Sequence, residues 1–155
     1  MTPASIMAAV SRGTDMAFVL QTNYLDAFDI VATADSGITT MEDLKGKTLG
    51  VSELPGGEMP IVRASLATAG LQEGADVNMI IIGEGDATTV RALENGQAQA
   101  YSSSKRDVIA INSQGIETNV ITPEEVQKFP GDGIAVTAET LEEDPEMVGA
   151  SCGPA

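Results

Sequence analysis

The stretch Thr48-Leu49-Gly50-Val51-Ser52-Glu53-Leu54-Pro55-Gly56-Gly57-Glu58-Met59-Pro60-Ile61-Val62-Arg63-Ala64-Ser65-Leu66-Ala67-Thr68-Ala69 changes its rhythm twice. T-L-G-V is a short apolar run with the look of a buried strand. S-E-L-P-G-G-E is polar and rich in turn residues, and its paired glycines permit positive φ and close backbone approach. A helix is expected from about Met59 to Ala69, stopped by Gly70. Pro60 is tolerated there because first-turn N–H groups have no helical partner. Strand, loop and helix in that order make one βα unit.

The pattern repeats along the chain. Pro3 to Ser11 is expected to be a helix ended by Gly13, followed by strands D-M-A-F-V-L and D-I-V-A-T-A. Thr39 is a fair N-cap for the short turn T-M-E-D-L, and Gly46 precedes the T-L-G-V strand. The run V-N-M-I-I-I, bounded by glycine, is expected to be a strand buried on both faces. T-V-R-A-L-E-N is then a helix, A-Q-A-Y-S a strand, R-D-V-I-A-I-N-S a helix and I-E-T-N-V-I a strand. A short helix T-P-E-E-V-Q-K, the strand G-I-A-V-T and a helix beginning T-L-E-E-D-P-E-M-V follow. Strands alternating with helices of about ten residues imply an α/β fold with a mostly parallel sheet.

Ala9-x-x-x-Gly13-x-x-x-Ala17 recurs as Ala92-x-x-x-Gly96-x-x-x-Ala100. Each copy has the outline of a helix end, a glycine stop and a following strand. The echo suggests two similar lobes, with Phe18 to Gln21 answering Tyr101 to Ser104.

Composition bounds the chemistry. The 155 residues include 8 Lys+Arg against 23 Asp+Glu, a formal net charge of −15. That balance repels phosphate backbones and anionic lipid surfaces, so nucleic acid is not an expected partner. The chain holds no histidine, which rules out His-based general bases, nucleophile–His pairs and His-ligated metals. No metal or cofactor site is expected. The one cysteine, Cys152, has no partner for an internal disulfide, and A-S-C-G-P-A reads as a frayed tail. No apolar run approaches the roughly 20 residues of a membrane span, and the start lacks the layout of a secretory signal.

Three loops merit attention, because ligands of open α/β sheets sit where strand ends meet helix N-termini. They are Ser52 to Glu58, Gly83 to Thr88, and Tyr101 to Ser104. Each is expected to offer free N–H groups or small hydroxyls. Gly46-Lys47-Thr48 is not a phosphate loop, since Met41 stands where a glycine is required and the motif precedes its strand. Gly83-Glu84-Gly85 lacks the third glycine of a dinucleotide fingerprint, having Thr88 in its place. Glu53 and Glu58 read as a solvated loop face and a first-turn charge in preference to a catalytic pair. Tyr101 fits either a core position or a ligand stack, and the methionines read as core filler.

Ser36-Gly37-Ile38-x-x-x-x-Asp43-Leu44-Lys45-Gly46-Lys47-Thr48-Leu49-Gly50-Val51, with the A-L-x-x-G-Q-x-x-A run from Ala92 to Ala100, resembles substrate-binding proteins of ABC importers. The resembling group takes nitrate, sulfonates, taurine and thiamine pyrimidine precursors, and the likeness runs from about Ala4 to Met147. It implies a three-layer type II periplasmic-binding fold, two α/β lobes on a two-strand hinge enclosing a small polar or anionic organic molecule. On that basis residues 1–36 are part of lobe one, 37–128 a complete lobe two, and 129–155 the return to lobe one and the tail. The chain then reads as an internal fragment of a longer protein, whose membrane ABC permease would be its partner. That parent would be periplasmic or extracellular, and not an enzyme.

The resemblance also implies the ligand contacts: Ser52, Gly56, Gly57, Glu58, Tyr101 and Ser102 from lobe two, and Gln21, Thr22 and Asn23 from lobe one. Glu58 stands where relatives often carry a small hydroxyl residue. This weakens the case for a bare sulfonate or nitrate and leaves a ligand with a donor group open. The effector-sensing domain of a transcription regulator shares the fold and is the alternative. A pyrimidine synthase that consumes its own histidine is disfavoured by the absence of His.

Overall fold

A glycine stop ends each of four helices in the same way. The helices are α1 (Pro3–Ser11), α2 (Met59–Thr68), α3 (Ala87–Glu94) and α4 (Lys105–Ser113). Their glycines, Gly13, Gly70, Gly96 and Gly115, all have positive φ. The next residue of each donates back to the last turn: Thr14 N to Ala9 O, Leu71 N to Leu66 O, Gln97 N to Ala92 O and Ile116 N to Ile111 O. This closure satisfies carbonyls that the helix leaves open. It also explains the echo in the sequence, whose two copies are the ends of α1 and α3. The computed structural model describes residues 1–54 and 57–151.

The chain divides into two compact units, Phe28–Gln127 and a second made of Met1–Ala27 with Lys128–Ala155. In the first, the strands are β2 (Phe28–Thr33), β3 (Thr48–Val51), β4 (Asn78–Ile81), β5 (Ala100–Ser104) and β6 (Thr118–Val120). They form one sheet in the order β4-β3-β5-β2-β6. β3 runs parallel to β4 and β5, whereas β2 is antiparallel to both β5 and β6. The expected parallel sheet is thus interrupted by one reversed strand, β2. The first unit begins at Phe28, where the sequence reading drew the line after Ser36. The reason is that β2 hydrogen-bonds into the central sheet.

Alternation along the strands builds three layers. Ile30, Ala32, Leu49, Val51 and Ala100 pack with Met59, Val62 and Leu66 of α2 on one face. Val31 and Tyr101 pack with Val90 and Leu93 of α3 and Val108 and Ile111 of α4 on the other. Each fully buried aliphatic side chain contributes about 1.5–3 kcal/mol of transfer free energy. Gly50 faces the second layer opposite Tyr101, and its missing side chain leaves room for Ile82 and Ala98. β4 corrects one expectation, because Ile81 is 60% exposed. The apolar run V-N-M-I-I-I is an edge strand, open on the side where no further strand pairs.

Asp43-Leu44-Lys45-Gly46-Lys47 enters β3 through local chemistry. The Asp43 carboxylate accepts from the N–H groups of Thr39 and Thr40, both at 3.0 Å. These bonds hold its pKa below the usual value. Leu44 is buried, and Gly46 takes positive φ while its N–H donates to Asp76 O.

In the second unit, β1 (Met16–Gln21) pairs antiparallel with β7 (Gly133–Thr137), with a register shift between Phe18 and Leu20. The C-terminal helix of the sequence reading is two helices, α6 (Ala138–Glu143) and α7 (Pro145–Ser151). Pro145 causes the break, since a proline disfavours helical geometry in the residue before it. The short helix α5 (Glu124–Gln127) closes the first unit.

Candidate functional site

The parallel strands β3, β4 and β5 end at one edge of the sheet, where β2 begins. Four segments meet there: the loop after Val51, the loop after Ile82, the junction of β5 with α4, and Phe28-Asp29. All belong to the unit Phe28–Gln127.

At the first loop, Glu58 is the N-cap residue of α2 and is only 1% exposed. Its Oε1 accepts from Ser52 Oγ at 2.6 Å, Ser52 N at 3.0 Å and Glu53 N at 3.4 Å. The carboxylate therefore closes the loop onto the end of β3. This corrects the reading of Glu58 as a solvated first-turn charge. A buried carboxylate is retained only where donors replace its water, and here two amides and a hydroxyl do so. Gly57 lies against the Phe28 ring, where an added Cβ would stand 3.0 Å from Cζ. Gly56 and Pro55 lie outside the described residues.

The second loop is also tied to itself. Asp86 caps α3 by accepting from Thr88 N and Thr89 N. These bonds, Thr89 foremost, hold the Asp86 carboxyl below the ordinary aspartate pKa. Thr89 Oγ1 accepts from Gly85 N and donates to Ile82 O. Gly85, at positive φ, packs so tightly on Asp107 that an added Cβ would stand 2.9 Å from its carbonyl oxygen. The amides expected to be free at Thr88, Thr89 and Gly85 are occupied by the chain's own groups.

β5 sorts its residues by face. Tyr101 is 1% exposed, and its hydroxyl donates to Gly83 O at 2.9 Å. Burial pushes its pKa up to about 12. Of the two readings of Tyr101, the core position is the one found, so its ring offers no face for a ligand stack. Ser102, in register with Val51 and Ile30, is fully buried, and its Oγ has no hydrogen-bond partner among the described residues. Ser103 Oγ and Ser104 Oγ both donate to Asp107 Oδ2 at 2.7 Å, and Ser104 caps α4.

Two residues at this edge escaped the sequence reading. Asp29 sits 3.9 Å from Lys105 Nζ and accepts from Thr122 Oγ1 at 3.3 Å. Burial raises its pKa, with Lys105 and Thr122 opposing. Asp107 had a usable signal, the Ser104-x-x-Asp107 spacing of a capping box. Asp29 had none, because Thr122 lies 93 positions away.

In the unit of Met1–Ala27 with Lys128–Ala155, Gln21, Thr22 and Asn23 are exposed. Thr22 donates through N and Oγ1 to Asp132 O, both at 2.9 Å, and Asn23 N donates to the same oxygen. Gln21 Nε2 donates to Asn23 O at 3.0 Å. The Thr22 and Asn23 amides are thus engaged within the loop, while the Asn23 side chain remains exposed.

Hollows of about 300 and 390 Å³ open on the first unit, lined by Thr39, Thr68 and Pro123 and by Thr33, Leu93 and Ile116 respectively. The first also includes Thr122, the partner of Asp29, and neither includes Ser52, Glu58, Tyr101 or Ser102. Among the described residues no group of three or more His, Cys, Asp or Glu could hold a metal ion, and no helix is long and apolar enough to cross a membrane.

The family model described as NMT1/THI5 like matches residues 2–151. Riboflavin-binding protein RibY of Chloroflexus aurantiacus is 25% identical over 144 residues, covering 93% of this chain and 40% of the relative. The periplasmic aliphatic sulphonate binding protein SsuA from Escherichia coli superposes with a TM-score of 0.71 at 20% identity, over 92% of this chain and 48% of that one. The periplasmic nitrate-binding protein NrtA from Synechocystis PCC 6803 does so with a TM-score of 0.61 at 16% identity, over 94% of this chain and 40% of that one. The chain therefore spans less than half the length of these proteins. The α/β architecture expected from the sequence is the fold of these binding proteins.

Proposed function

Because this chain belongs to the NMT1/THI5-like family, we propose that it is part of the solute-binding component of an ABC importer. The observation that carries the reading is the family match over nearly the whole chain. RibY, SsuA and NrtA are binding proteins, and the likeness to them adds support.

On this reading the solute is a small polar organic molecule. Ser52, the Gly57 backbone and Ser102 are its contacts in the unit Phe28–Gln127. Glu58 acts through Ser52, whose hydroxyl it orients, and Tyr101 supports β5 from the core. The longer protein works outside the cytoplasmic membrane with a permease, which reads the solute-bound form.

A ligand that binds only the folded protein stabilises it by mass action, by about 2.7 kcal/mol at a hundred times its dissociation constant. Thermal unfolding of the longer protein is expected to shift upward with at least one member of a panel of pyrimidines, flavins, sulfonates, carboxylates and phosphates. A flat response across the panel sinks the reading.

A further inference from the structure

The helix starts at this sheet edge already carry acids of the chain. At α2 the Glu58 carboxylate fills the cradle formed by Ser52 N, Ser52 Oγ and Glu53 N. At α3 the Asp86 carboxylate takes Thr88 N and Thr89 N. At α4 the hydroxyls of Ser103 and Ser104 are turned onto Asp107. The neighbouring cations are matched as well, with Lys105 Nζ at 3.9 Å from Asp29 and Arg106 Nε at 3.9 Å from Asp107. Successive amides and helix N-termini are the usual means of holding a free anion, and like charge placed at them repels one. A net charge of −15 acts in the same direction at longer range. A different kind of vacancy remains beside the loop. Ser102, in register with Val51, has a fully buried Oγ with no partner among the described residues.

We infer that Glu58 is a built-in anion plug that sets the solute class: this edge rejects nitrate, sulfonate and carboxylate groups and takes a solute that is uncharged or carries N–H donors where it meets Ser52 and Ser102. The inference rests on the solute-binding reading and narrows it.

Two experiments separate the inference from that reading. In the first, the ¹⁵N-labelled 155-residue chain is titrated with nitrate and with taurine at constant ionic strength. The Ser52 and Glu53 amide resonances are expected to stay in place for wild type. In Glu58→Ala they are expected to move saturably with nitrate, with an apparent affinity at least tenfold tighter than in wild type. Saturable movement in wild type overturns the plug, as does the absence of any gain in a folded Glu58→Ala. If Glu58→Ala does not fold, the wild-type titration and Glu58→Gln, expected to stay inert because its amide still fills the cradle, decide the matter. In the second, the longer protein is titrated with riboflavin, thymine, taurine and nitrate. Binding of riboflavin or thymine with inert taurine and nitrate supports the inference. Binding of taurine or nitrate overturns it and leaves the solute-binding reading standing. Binding of none overturns that reading, while the amide titration still decides the plug.

Discussion

The Ser52 hydroxyl donates to Glu58 Oε1 at 2.6 Å, across a loop of five intervening residues. This bond and two amide bonds to the same oxygen tie the N-cap residue of α2 to the end of β3. The tie is made by the chain's own groups.

Truncating Glu58 removes the acceptor of two backbone N–H groups and a hydroxyl, on half-buried Ser52 and exposed Glu53. Glu58→Ala is expected to destabilise the chain by about 1–3 kcal/mol, the cost of leaving donors without their acceptor. Glu58→Gln keeps an acceptor oxygen at the same place and is expected to cost about 1 kcal/mol. Urea midpoints at constant m-value measure both, and equal losses for Ala and Gln would contradict the geometry.

Tyr101 makes the stability sensitive to alkali. Its folded pKa is raised to about 12 from an ordinary 10.0. The unfolded chain therefore releases the proton first, and the folded state loses stability as pH climbs from about 10 to about 12. The loss is at most about 2.7 kcal/mol for a two-unit shift. Tyr101→Phe is expected to flatten this alkaline limb. It should cost about 1 kcal/mol at neutral pH through the lost bond to Gly83 O. Unchanged alkaline behaviour in Tyr101→Phe would refute the assignment.

Asp86 acts in the opposite direction on the pH scale. Its carboxyl is held below 3.8 by the amides of Thr88 and Thr89. The stabilisation is present above that value and is lost as pH falls through the folded pKa. Asp86→Ala removes the cap of α3 and is expected to lower stability at pH 7, and to lower it less in acid. A pH-independent penalty would argue against the capping role.

Two glycines at positive φ separate conformation from packing. Gly70 has open space around its would-be Cβ, whereas the Cβ of Gly85 would meet Asp107 backbone. Gly70→Ala is expected to cost about 1 kcal/mol for the left-handed conformation alone. Gly85→Ala is expected to cost clearly more, by roughly 1–3 kcal/mol, because α4 must also shift. Equal penalties would show that the loop after β4 does not pack on α4.

The legible parts of this protein are those written within one turn of chain. The glycine stops at Gly13, Gly70, Gly96 and Gly115 were readable because helix closure is local. Asp43-Leu44-Lys45-Gly46-Lys47 was readable because cap, core residue and turn follow one another. The facing of residues was not. V-N-M-I-I-I has the composition of a central strand, and only the sheet order makes it an edge. Tyr101 suits a core or a surface equally, and register with Gly50 decides between them. Glu58 looks like a surface acid because nothing in its neighbourhood announces the bend that brings Ser52 back to it. Asp29 depends on Thr122, at the far end of the same unit's chain segment.

Calorimetric titration of the longer protein with an uncharged, N–H-bearing solute such as riboflavin or thymine, in parallel with taurine and nitrate, tests the solute-binding claim most directly. The account predicts saturable one-to-one binding of an uncharged solute, recovered unchanged after dialysis, and no heat from either anion. Heat of binding from none of them, or chemical conversion of the solute, would contradict it.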